Sequence, residues 1–152
     1  QRLLQRTIST GTAPAHLTDE DLAHLRGAKL RLEVFDANRE PQYADKWITL
    51  NGQRLARVPG NTGELASWQE RYVDLTAAQL PWLQRTNRFT LGTAGGDCYK
   101  FRGLGLALQR ADGKWVTTAA DAQVYCSVGN WLYAEGTPFI GGVSPEITIS
   151  IP

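Results

Sequence analysis

Three of the five tryptophans in this chain stand beside loop signals: Trp68 after Gly63, Trp82 after Pro81, and Trp131 after Gly129-Asn130. An indole at a loop edge presents a flat apolar face that stacks on a sugar ring, while neighbouring amides and carboxylates bind the hydroxyls. The same placement suits a plug closing one end of a β-sandwich. Trp68, Trp82 and Trp131 are therefore the candidate ligand-binding residues, with plugging as the competing role. Trp47 and Trp115 fall inside strand-like runs and are expected to pack.

Other chemistry finds little support. His16 and His24 have no nucleophile elbow and no His-Glu-x-x-His pattern beside them, so both read as surface residues. Residues 92–96 are glycine-rich but lack the Gly-Lys-Ser/Thr ending of a phosphate loop. Gly103-Leu104-Gly105 lacks the third glycine of a dinucleotide fingerprint. Asp36, Glu40, Asp45, Glu64, Glu70, Asp97, Glu135 and Glu146 could supply a pair of carboxylates for glycosidic hydrolysis. No spacing selects a pair, so no enzyme and no catalytic residue is expected. Cys98 and Cys126 have no histidine near them and make a poor zinc site. They suit one disulfide of an exported protein, whose loop closure contributes roughly 3.5 kcal/mol on the chain-entropy model; otherwise they are buried thiols.

Composition narrows the partners. The net charge is +1 over 152 residues, and the dispersed Lys and Arg leave no nucleic-acid footprint. No apolar run approaches the roughly 20 residues of a membrane helix, so no membrane insertion is expected. The sequence holds no methionine, which fits either a processed, exported precursor or a piece of a longer chain.

The elements that must position these residues are mostly strands. Asn51-Gly52 lies between two alternating runs and tolerates the positive φ angles of a two-residue type I′ turn. That turn pairs Leu50 with Gln53, Ile48 with Leu55 and Trp47 with Ala56, placing Ile48 and Leu55 on one face. Before the hairpin, residues 28–35 alternate, with Leu30, Leu32 and Val34 on one face and Lys29, Arg31 and Glu33 on the other. After it, strands are expected at 68–75, 88–93, 98–109, 114–118, 123–127 and 146–151, with a shorter run at 131–133 and a helical turn within 76–83 broken at Pro81. The alternation changes parity beside Gly103, the mark of a β-bulge. Thr18 and Asp21 form a capping box, Leu17 and Leu22 a staple, and Gly27 a stop, which predicts a two-turn helix over 19–26. Some eight or nine short strands with turn chemistry between them indicate an all-β antiparallel sandwich. The domain spans 28–152, preceded by an extension over 1–27 that holds the short helix. Within residues 1–15, Leu4 and Ile8 give a weak strand-like pattern.

From Trp47 onward, the order of features resembles the galactose-binding-like jelly roll of exported accessory modules. The matching pieces are Trp47-Ile48-Thr49-Leu50-Asn51-Gly52, a glycine-rich loop leading to Trp68, Val73-Asp74-Leu75-Thr76, Asn87-Arg88-Phe89-Thr90-Leu91, and Asp97-Cys98-Tyr99-Lys100-Phe101 entering a leucine-rich strand. The resemblance covers about residues 28–152. It implies a jelly-roll sandwich and a non-catalytic, extracellular or cell-surface module that binds a glycan or surface polymer. Some members hold a structural calcium ion; no residues are assigned to one here, and no other cofactor is expected. A second function is a structural subunit of an extracellular filament or surface assembly. In it, Leu4 and Ile8 insert as an added strand into another copy of the chain.

Overall fold

A computed structural model describes residues 16–152. Leu4 and Ile8, the strand-exchange candidates, lie outside the described residues. The first strand, β1 (Gly27–Phe35), follows its alternation closely, with Leu30, Leu32 and Val34 fully buried. It is flanked by β4 (Trp68–Asp74) and β6 (Lys100–Gln109), and β6 carries β7 (Trp115–Thr117) and β8 (Tyr125–Cys126) on its other side; β9 (Thr137–Pro138) pairs with β8. The second sheet has the order β10 (Ile147–Ser150), β5 (Thr86–Thr93), β2 (Lys46–Leu50), β3 (Gln53–Arg57). The inward residues of both sheets, among them Leu30, Leu32, Ile48, Leu50, Phe89 and Leu91, form a single core cluster. Each such side chain taken out of water contributes about 1.5–3 kcal/mol, which holds the two layers together. The described residues form an all-β fold, with two sheets and one short α-helix.

Several local features form as their residues dictate. Asn51 (φ 51°) and Gly52 (φ 86°) both take the left-handed region that the hairpin turn requires. Gly103 sits at φ 70°, and the β1–β6 register slips between Arg31 and Glu33, so the parity change is a β-bulge. Thr18 and Asp21 close a reciprocal capping box.

Other expectations are corrected. A bulge between Ile48 and Thr49 sets Ile48 opposite Ala56 and Trp47 opposite Arg57. Leu55 is itself the extra residue of the bulge and still turns inward, 6 % exposed, beside Ile48 on the core face. The helix, α1 (Asp19–Ala23), is one turn long rather than two. His24 leaves helical geometry (ψ 36°), and Arg26 N–H already bonds the Gln109 carbonyl at the head of β1. The helix is docked onto the sandwich. Leu17 is fully buried, its N–H bonds the Pro152 carbonyl, and Arg85 pairs with Asp19 at 2.6 Å. Pro81 lies at the start of a 3-10 turn, Leu80–Trp82, where its missing N–H costs nothing. Residues 131–133 are a turn, with Ala134 N–H bonding the Trp131 carbonyl, and β9 is instead paired parallel to β8. Ten strands result.

Cys98 and Cys126 are free thiols, not a disulfide. Cys126 lies across from Lys100, and its Sγ–H is turned along its own chain to the Val128 carbonyl at 3.1 Å.

One charged group is built into the interior. Lys46, 1 % exposed, sits at the start of β2 with its ammonium 2.9 Å from Asp97 Oδ2. It also donates to the carbonyls of Asn38 (2.7 Å) and Tyr43, and lies 5.7 Å from the Tyr99 ring centroid. Asp97 in turn accepts the Asn38 N–H at 3.0 Å. Two carbonyls and a carboxylate thus converge on an ammonium, the kind of oxygen set a bound cation would otherwise fill. Among the described residues, no three His, Cys, Asp or Glu side chains group as metal ligands.

Candidate functional site

The outer face of the six-stranded sheet carries a run of aromatic and charged side chains, among them the exposed Tyr72 and Trp115. The alternation that buries Leu30, Leu32 and Val34 points Lys29, Arg31, Glu33 and Phe35 outward. Register then lays rows across the sheet. Phe35 is flanked by Trp68 and Lys100, Glu33 by Glu70 and Arg102, Arg31 by Tyr72 and Gly105, and Lys29 by Asp74 and Ala107. Thr117 and Trp115 extend the last rows on β7, opposite Ala107 and Gln109. The bulge at Gly103 is what keeps both Arg102 and Gly105 on this face.

At one end lies an aromatic cluster. Phe35 meets Trp68 (5.5 Å between centroids), Tyr133 (5.2 Å) and Trp131 (6.3 Å) edge-on, and Trp131 meets Tyr133 at 5.6 Å. The Lys100 ammonium sits 4.3 Å from the Phe35 centroid and 5.3 Å from that of Trp68. It donates to Glu135 and to the Tyr133 carbonyl, both at 2.7 Å. The Arg102 guanidinium lies 3.9 Å from the Trp68 centroid. The structure thus brings Trp68 and Trp131 together, as packing around Phe35 and a lysine of the chain itself. Trp82 does not join them. It packs against the core in the Leu80–Trp82 turn, where its carbonyl accepts from Asn51 Nδ2 at 2.9 Å.

The middle of the face is a charge ladder. Arg31 pairs with Glu33 and Glu70, both at 2.8 Å, and Arg102 pairs with Glu33 at 3.0 Å. Burial pushes the Glu33 carboxyl up, but hydrogen bonds from Arg102 and Arg31 outweigh it and hold the group below its usual range. Burial works against the Arg31 charge, and Glu70 and Glu33 more than restore it. A carboxylate held ionised in this way is the opposite of the raised acid that glycosidic hydrolysis needs.

The other end is open. Tyr72 and Trp115, 53 % and 46 % exposed, stand over the sheet with the Lys29 ammonium 5.8 and 5.3 Å from their ring centroids. Trp115 is therefore a surface residue, not the packing residue its strand position suggested. Its neighbour Val116 takes the core side. Beside Tyr72 a cleft of about 220 Å³ runs over Gly105 and Ala107, walled by Thr117, Thr118 and Ala120 and closed at one end by Arg31. Residues without bulky side chains make the floor, so the tyrosine ring forms a wall that a ligand can reach. Tyr72 and Trp115 escaped the loop-edge criterion because both lie within strands. The signal that could have found them is parity: each shares the face of charged neighbours, Glu70 and Asp74 for Tyr72, and Lys29 across the sheet for Trp115.

On the other sheet, Trp47 is half-buried on the outer face rather than in the core. Its Nε1–H donates to Asp45 at 2.6 Å, and the guanidinium groups of Arg54 and Arg57 lie 4.4 and 4.7 Å from its ring centroid. Comparison with protein-family models, with curated proteins and with solved structures gives no significant match.

Proposed function

We propose that the chain is a non-catalytic glycan-binding module that receives a short saccharide along the outer face of its six-stranded sheet. The observation that carries this reading is the pair Tyr72 and Trp115, half exposed on one sheet face beside a small-floored cleft. Aromatic rings that stay in water at such exposure have a partner to gain, since stacking on a sugar face removes apolar area from solvent. Thr117 edges the same cleft and supplies a hydroxyl for hydrogen bonding to the sugar. The part of the face left open, from Lys29 to Glu33, spans about 13 Å at roughly 3.3 Å per residue, enough for a short saccharide.

The reading agrees with the resemblance to galactose-binding-like jelly rolls and with an extracellular or cell-surface setting. It relocates the ligand-contacting aromatics from Trp68, Trp82 and Trp131 to Tyr72 and Trp115. It is preferred to strand exchange between copies because Tyr72 and Trp115 lie exposed on a sheet face, whereas β3, one of the outer strands among the described residues, carries Arg54 and Arg57, which discourage strand addition there.

The test is a glycan array followed by titration calorimetry on the best hit, with Tyr72→Ala and Trp115→Ala. Both side chains are exposed, so neither substitution empties the core. Each is expected to weaken binding at least tenfold. Retention of full affinity by the double variant, or silence across neutral and acidic glycans alike, would overturn the reading.

A further inference from the structure

We infer that the outer face of the four-stranded sheet holds a second, separate site, which takes a carboxylated sugar, a uronic-acid unit of an acidic polysaccharide. The site is built by register. Trp47 pairs with Arg57 on one side and Gly92 on the other, and Thr49 pairs with Arg54 and Thr90. Two rows therefore lie side by side on the outer face, Arg57–Trp47–Gly92 and Arg54–Thr49–Thr90. Val143 continues the first row through its bridge to Gly92. The turn carrying Gly141, Gly142 and Val143 borders the rows, and the open cleft between them measures about 300 Å³. That is the lower end of small-ligand pockets, the size of one sugar unit.

Gly92 is needed for this shape. A Cβ there would lie 3.1 Å from the Gly142 carbonyl, so a larger residue would press that turn away. Gly142, at φ 78°, has its own Cβ position only 2.8 Å from the Thr93 carbonyl, which admits no side chain.

The chemistry of the lining selects the ligand. Arg54 is exposed, rests on the Trp47 ring, and makes no ion pair or side-chain hydrogen bond with any described residue. Arg57 is committed to the Ala44 carbonyl at 2.6 Å, and Asp45 to the Trp47 indole. Arg54 is thus the uncommitted guanidinium at the mouth, with a donor fork matched to a carboxylate. Stacking on Trp47 holds the fork in place, so less side-chain freedom is lost when an anion binds. The Thr49 and Thr90 hydroxyls bond each other. That pairing uses one O–H and leaves the other free to donate, with acceptor lone pairs to spare, which suits ring hydroxyls. Val143, 44 % exposed, and the glycine floor offer an apolar surface to the sugar ring. A bare phosphate or sulfate would use Arg54 and the one free threonine O–H but gain nothing from the apolar wall.

This inference stands apart from the proposed glycan face, since it lies on the opposite sheet. It is tested on the whole chain by amide-resolved NMR titration with trigalacturonate, its fully methyl-esterified counterpart, and inorganic phosphate. The expected result is saturable shifts at Trp47, Thr49, Thr90 and Val143 with trigalacturonate, at least tenfold weaker with the ester. Arg54→Gln, a surface change, should weaken the acid at least tenfold and leave the ester unchanged. Equal affinity for acid and ester, phosphate binding as tight as trigalacturonate with the same Arg54 dependence, or absence of shifts on this face would each overturn it. Shifts confined to Tyr72 and Trp115 would support the first site and reject this one.

Discussion

Replacing Lys46 with methionine isolates the most consequential polar contact of the fold. The substitution keeps the length and apolar stem of the side chain and removes only the ammonium. Asp97, 6 % exposed, then keeps a full charge in the interior with the Asn38 N–H as its remaining partner at 3.0 Å. The Asn38 and Tyr43 carbonyls lose their shared donor at the same time. Breaking one side of a buried ion pair costs about 3–5 kcal/mol, because the surviving charge stays desolvated. Against a total stability of about 5–15 kcal/mol for a domain, that is a large share. At about 2–4 °C per kcal/mol for a chain of this size, Tm should fall by about 6–20 °C. The assay is urea unfolding followed by tryptophan fluorescence, run with Lys46→Met, Asp97→Asn and the double variant. Asparagine keeps an acceptor for the Asn38 N–H while dropping the charge. The double variant should therefore recover about 2 kcal/mol relative to Lys46→Met alone, the signature of coupling between the two sites. The loss should persist at high salt, since a buried pair is screened far less than a surface one. A cost under about 1 kcal/mol for Lys46→Met, or strict additivity in the double variant, would show that the pair does not hold this corner of the sandwich.

Two further outcomes follow from local electrostatics and backbone geometry. Burial, and then the charge of Asp97, raise the Asp36 carboxyl above its usual range, so ionising it opposes folding. Asp36 also sits at φ 57°, a conformation asparagine adopts readily. Asp36→Asn should raise stability at neutral pH. Because the folded-state value lies above the unfolded one, the gain should shrink as pH falls through that interval and vanish below it; a gain unchanged down to pH 2 would refute the electrostatic part. The Cys98 thiol is likewise pushed up, first by burial and then by Asp97, Asp36 and Cys126. Both cysteines should titrate as free thiols in denaturant without reductant, while native alkylation of Cys98 at pH 8 runs at least tenfold slower than that of free cysteine. A thiol count below two, or fast native alkylation, would contradict the arrangement.

Much of the fold was legible in the chain because the signals are local. Asn51-Gly52 specifies its turn through the φ angles those two residues tolerate. Thr18 and Asp21 specify a helix start by exchanging hydrogen bonds over three residues. The parity change at Gly103 announces its bulge, and alternation in residues 28–35 selects which side chains enter a core. The length of the helix was not local: Arg26 is captured by Gln109, far along the chain, before a second turn can form.

The candidate sites were legible only in part. Alternation says that Tyr72 and Trp115 lie opposite the core residues of their strands. It cannot say whether the outer face is then covered. Residues 131–135 fold over the Phe35 end of that face and turn Trp68 and Trp131 into packing, while the Tyr72 end stays open. The bulge in the Asn51-Gly52 hairpin, invisible in residue types, moves Trp47 beside Arg57, while Arg54 stays across from Thr49 as the two-residue turn alone dictates. The sequence by itself determined two layers of strands and the residues between them. Which outer surfaces remain free, where a lysine and an aspartate meet in the interior, and that the two cysteines stay apart were decided by tertiary structure. Those outcomes depend on register and on loops that cross from distant parts of the chain.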